Sequence, residues 1–335
     1  MSKKEIMKNK MLVIILIFLS IVTFGTTETD AKLKVAVIYS VRGKGDKSYN
    51  DFAYEGLMKS KKDFGIEFKE FIQKISILDI EDQLRAMAKS KKYDLIIGIP
   101  KAIKLGIEKI AKEYPEQKFV VAYEAPEISL SNVATILFKE EEGGFLAGIL
   151  AGMMTKSYSV GFMGSTETEN VKRYEKGFRQ GVKYVNKNTI IFSSYVDGEN
   201  PYFDIPLAKK KTENMIKKNR IGVIFHSAGG SGIGVLNAAQ ENGIFAIASE
   251  QNEDKLAPGT VLTSVMTDLS IPLYYIIKNT VKGKFKGEEY YFGLSDNAIK
   301  VTDFKYTVNI IGKEKLNKFQ EIREMIRAGK IKVQY

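Results

Sequence analysis

The sequence has no cysteine, no tryptophan, one histidine and only seven prolines among its 335 residues. Without cysteine there is no disulfide, no thiol nucleophile and no thiolate zinc site. With His226 alone, a histidine-rich metal centre is excluded, and a Ser–His–Asp triad would have to use that residue. No Gly-x-Ser-x-Gly elbow accompanies it, so His226 reads as a satisfied residue at a strand end. Arginine is scarce as well, at seven of the 51 basic residues, although the formal net charge is +11. Arginine is the side chain that grips phosphate and guanine in bidentate fashion. The lysines are instead scattered in short runs such as Lys59-Ser-Lys-Lys62 and Lys209-Lys-Lys211, the pattern of solvated helix faces. Nucleic acid is therefore not an expected partner, and no paired-carboxylate motif points to an enzyme.

What is present begins with Lys3, Lys4, Lys8 and Lys10 ahead of the apolar run Met11–Phe24. A basic segment before an apolar stretch too short for a confident membrane span reads as a signal peptide over residues 1–31, cleaved near Thr29-Asp-Ala31. No cysteine is available for lipid attachment, so a free periplasmic or extracytoplasmic protein is expected rather than a lipoprotein. The full sequence is 44% apolar and 27% charged, ordinary globular material, and its length suggests two lobes.

Ile221–Phe225 is a β-branched apolar run that reads as a buried strand. Ser227–Gly234 carries four glycines, a helical pattern follows to Gln240, and Ile244–Ser249 is the next buried strand. Glycines at a strand's carboxyl end admit a ligand to the backbone, or else let the helix pack closely on the sheet. The segment is no P-loop, since no Gly-Lys-Ser/Thr follows. The dinucleotide pattern fails where Val235 replaces its third glycine. Glu250 does stand about twenty residues beyond the glycines, where an acidic side chain meets ribose hydroxyls. After the first strand, Leu33–Tyr39, the residues Asp46, Ser48, Tyr49 and Asn50 cluster before a helix; capping alone would account for Ser48 or Asn50. Strands and helices alternate throughout. In Gly144–Gly152, glycines four apart line one helix face. The rhythm predicts two doubly wound parallel-sheet lobes with a ligand cleft between them. Residues 32–138 plus about 265–289 form the first lobe, and 139–264 plus about 290–335 the second, with hinges near Phe138, Ser264 and Tyr290.

Six stretches in order carry a resemblance. They are Asp46–Asn50 with Glu55-Gly56, Phe145–Gly152, Val160–Gly164 with Gly177-Phe178, Ser227–Val235, Leu256–Ser264, and the Gly-Leu plus Gly329–Val333 tail. Together they resemble the basic membrane protein family of substrate-binding proteins, which look like type I periplasmic binding proteins and serve ABC importers of purine nucleosides. The resemblance implies a small nucleoside-like ligand, an ABC permease as partner, no cofactor and a monomer. It makes Asp46 and Asn50 base contacts, puts Tyr49 near one face of the base and stacks Phe203 on the other. Gly229 and Gly230 would present backbone, and Glu250 would take the ribose. The chain departs from the family at Lys101 and Leu105, at Asn252-Glu253, at Glu250 where aspartate is usual, and at Thr267 where lysine is common. A ligand sensor and a Rossmann-type enzyme are the other readings. The signal segment and the broken glycine pattern oppose the enzyme.

Overall fold

A computed structural model describes residues 32–99 and 103–335; the expected signal peptide and Lys101 lie outside the described residues. The strands are β1 (Lys34–Tyr39), β2 (Glu67–Ile72), β3 (Leu95–Gly98), β4 (Lys118–Ala122), β5 (Val133–Phe138), β6 (Ser159–Gly164), β7 (Ile190–Tyr195), β8 (Val223–Ser227), β9 (Phe245–Glu250), β10 (Val261–Thr267), β11 (Glu289–Phe292) and β12 (Ile299–Val301). The helices are α1 (Tyr49–Phe64), α2 (Ile77–Ser90), α3 (Ile103–Glu113), α4 (Glu140–Met154), α5 (Glu169–Val185), α6 (Ile205–Asn219), α7 (Gly232–Glu241), α8 (Ser270–Val281), α9 (Val308–Ile311) and α10 (Lys313–Arg327).

Two six-stranded sheets form, ordered β2-β1-β3-β4-β5-β11 and β7-β6-β8-β9-β10-β12. Their first five strands follow one scheme, and among the described strands only β12 runs antiparallel. This is the two-lobed, parallel-sheet architecture expected from the alternation, and it agrees with the type I periplasmic-binding-like fold that the resemblance implies. Central strands such as β1 and β3 are continuous apolar runs because helices cover both faces. The edge strands β2 and β7 are far more exposed.

One apolar cluster runs through both lobes, from Val35 and Val37 to Phe225 and Ile247. Separate clusters fill the outer faces under α2 and α3 and under α6 and α7. The α4–α5 contact is unusually close. A Cβ on Gly144 or Gly148 would fall 2.1 and 2.2 Å from the carbonyl oxygens of Tyr174 and Phe178. Conversely, one on Gly177 or Gly181 would fall 1.9 and 2.1 Å from those of Glu141 and Phe145. The backbones touch because no side chain intervenes.

The chain passes between the sheets at Lys139, at Asp268–Leu269 and at Gly293–Ala298. The last two lie a few residues beyond the expected boundaries. β10 continues to Thr267 beside β9, and β11 pairs with β5 in the first sheet. Helix α6 starts at Ile205. The Asp204 carboxylate accepts from Leu207 N–H at 2.9 Å and Pro206 follows, a strong start signal. Phe203 therefore sits in a turn, not on a helix.

Candidate ligand site between the two lobes

The first lobe's wall is built from the β1–α1 loop. Ser48, a candidate ligand-binding residue that capping could equally have explained, makes no capping bond through its side chain. Asp46 does that work: its carboxylate accepts from the backbone N–H groups of Ser48, Asn50 and Asp51 and from the Asn50 amide. Asn50 is 0% exposed. Its amide donates to Ser40 Oγ, the Gly43 carbonyl and Asp46, while its Oδ1 accepts from Ser40 N–H. Both residues expected to read a base are thus committed to holding the loop. What the loop presents is Tyr49.

The Tyr49 ring lies 4.6 Å from that of Tyr123, which stacks at 5.2 Å on Phe138. Alternation along β4 would send Tyr123 to the outer face with Phe119 and Val121. Its φ of 73° turns it back into the cleft, a conformation rare for an aromatic residue and a mark of a constrained site. Its hydroxyl is buried beside Thr267 without a well-formed hydrogen bond.

The second lobe's wall is the β8–α7 turn and the end of β9. Gly229 has φ of 54° against Tyr202, and a Cβ on Gly230 would come within 3.0 Å of the Phe203 ring. Gly232 and Gly234 serve packing instead, making room for the His226 ring and the start of α6. Phe203 is 51% exposed, with the guanidinium of Arg42 from the first lobe 4.4 Å over its ring. Glu250 has φ of 71°. Its carboxylate meets the Tyr49 phenol across the cleft, and burial pushes its pKa up. Beneath it, His226 Nε2 and Glu253 Oε2 are 2.9 Å apart, and Gln251 holds the other carboxylate oxygen. Several buried hydroxyls here have no partner: Ser165, Ser227, Ser249 and Tyr174.

Beyond Tyr123 the cleft continues as a cavity of about 350 Å³, large enough for a small solute. Tyr123 and Phe138 line one side, Asn170 and Arg173 the other, with Glu140 at the start of α4. Burial raises the Glu140 carboxyl to a pKa of about 8. The run Glu140-Glu-Glu142 looks like ordinary acidic residues favouring a helix N-terminus. However, α4 is apolar on every side and buried through most of its length, so Glu140 and Glu141 are buried with it. That all-round apolarity was the available clue. Tyr123 offered none, since its backbone conformation has no counterpart in residue pattern. Leu105 is half exposed on α3, and among the described residues no group of acids or histidines could hold a metal.

A family of ABC transporter substrate-binding proteins, PnrA-like and abbreviated Bmp, matches residues 32–334. The chain belongs to this family. A Bmp assignment agrees with the resemblance read from the six stretches. Basic membrane protein A2 of Borrelia garinii is 30% identical to this chain, with 82% of this chain and 81% of that protein covered. A protein of Pyrococcus abyssi named an uncharacterized lipoprotein is 27% identical, over 82% of this chain and 70% of its own length. A solved ABC transporter solute-binding protein of Aeropyrum pernix shares the fold with a TM-score of 0.71. It is 24% identical and covers 90% of this chain and 92% of that one. Bmp membership makes this a solute-binding protein with a small-molecule ligand and a permease partner.

Proposed function

We propose that the cleft captures a purine-nucleoside-like solute outside the cytoplasm and delivers it to the ABC importer unchanged. The observation that carries this reading is the Tyr49–Glu250 contact: an aromatic ring and a half-buried carboxylate, one from each lobe, meet where two sheets present their carboxyl ends. A ring slotted beside Tyr49 would find Phe203 on its other side once Arg42 moves off it. Glu250 would accept from two sugar hydroxyls. Gly229 and Gly230 leave backbone open to the solute, while Asp46, Ser48 and Asn50 hold the loop that aims Tyr49. The protein acts as a monomer. Its lack of cysteine favours a free protein after export, in contrast to the relative named a lipoprotein.

Calorimetry with adenosine, guanosine, inosine, their free bases and their monophosphates tests this. Nucleosides are expected to bind without release of base or ribose. Monophosphates should bind worse, because Thr267 supplies no cation and Glu250 is acidic. Phe203→Ala should weaken nucleoside binding roughly 5- to 150-fold, the about 1–3 kcal/mol of one stacked base. Glu250→Gln should penalise nucleosides more than bases. Absence of binding by all three nucleosides would reject the ligand class.

A further inference from the structure

The cavity beyond Tyr123 shares no residue with the proposed base and sugar contacts, and its chemistry differs. Among the described residues two cations line it, and both are matched: Lys104 lies 3.6 Å from Glu124, and Arg173 lies 3.1 Å from Glu141. Of the four carboxylates there, Glu289 accepts from the Tyr291 hydroxyl and Glu169 from that of Tyr335. Glu140 is the exception. It is 5% exposed, and among the described residues no cation or side-chain donor bonds its carboxyl, which meets only its own backbone N–H. Next to it the Tyr174 hydroxyl, on a residue 1% exposed, is also without a partner. Folded proteins rarely leave a buried hydroxyl such as that of Tyr174 unpaired, and the neighbouring Glu140 lines the cavity.

We propose that this cavity is a binding compartment for the amine end of a solute, with Glu140 as its counter-ion. The rings of Tyr123 and Phe138 form the apolar wall against which the adjoining carbons and the cation would rest. The titratable groups facing Glu140 are Glu141 on its own helix, Glu169, Arg173 and Tyr174 on α5, and Tyr123 at the end of β4. None adds an unmatched positive charge. Burial raises the Glu140 carboxyl to a pKa of about 8, which favours its protonated form at neutral pH until a cation enters. When an ammonium group arrives, the carboxyl O–H bond breaks, the proton passes to buffer and the carboxylate pairs with the ammonium.

The test is calorimetry of the purified protein at pH 7 with agmatine, putrescine and ethanolamine, against 1,4-butanediol and ethylene glycol. Each is run in two buffers of different ionisation enthalpy. The amines should bind about 10-fold or more tighter than the diols, as a charge-assisted bond to a buried acid requires. About one proton should leave per amine bound. Glu140→Gln should abolish both the preference and the proton release while leaving adenosine affinity within about threefold. Equal binding of amines and diols, or an amine preference that survives Glu140→Gln, overturns the proposal. Amine binding by a protein that ignores nucleosides would sustain the compartment and remove only the nucleoside reading.

Discussion

The two walls of the cleft differ in how their polar groups are occupied. In the first lobe, Asp46 and Asn50 spend their hydrogen bonds on the loop that carries them, and the Tyr123 hydroxyl is the one site-facing group described there without a well-formed bond. In the second, Ser165, Ser227, Ser249 and Tyr174 keep buried hydroxyls unpaired, and Glu250 reaches across to Tyr49. Buried groups left unpaired cost stability and gain it back when a ligand supplies the missing bonds. One wall is a rigid stop and the other a set of waiting contacts.

The largest effect is expected from removing what holds the second wall in place. Gly177→Val puts a side chain where a Cβ already falls 1.9 Å from the Glu141 carbonyl oxygen. It should cost about 3 kcal/mol or more in urea unfolding, with ligand binding lost as α4 and α5 separate. An unchanged unfolding midpoint would mean that the helices need not touch. Next comes Asn50→Ala, which strips the first wall of its internal bonds and should cost about 1–3 kcal/mol of stability. Ser227→Ala should do the opposite: stability within about 0.5 kcal/mol, but nucleoside affinity roughly 2- to 10-fold weaker. If Ser227→Ala destabilises as much as Asn50→Ala, the contrast between the walls is wrong.

The last test is a slope against pH. Glu140 has a folded pKa of about 8, above its ordinary value of 4.5. Between these values the unfolded chain has released the proton and the folded protein still holds it. Stability from this group is therefore greatest below about pH 4.5 and declines toward pH 8. Subtracting the unfolding curve of Glu140→Gln from that of the native protein across this window should show the decline. A flat difference would place Glu140 in water.

Much of this arrangement can be read from residue order. The apolar runs at β1, β3, β8 and β9, separated by helical stretches, specify parallel sheets because strands buried on both faces carry no alternation. Glycines four apart in α4 mark the close helix crossing, and Tyr49, Phe203 and Glu250 do fall at the cleft. The roles of Asp46 and Asn50 were not legible, because a polar residue before a helix looks alike whether it binds a ligand or its own backbone. Glu140 was hidden by its resemblance to a surface acid, and Tyr123 by a backbone angle that leaves no trace in composition.

The placement of α4 has one more consequence. Its glycines fix it to α5 backbone against backbone, so it travels with the second lobe as a single body. Phe138 closes β5 in the first sheet, and Glu140 opens α4; Lys139 alone joins them. Under the hinge expected near Phe138, a parting of the lobes would draw the acid away from the aromatic floor. A solute held there by the proposed contacts would lose its counter-charge and its apolar seat in the same motion.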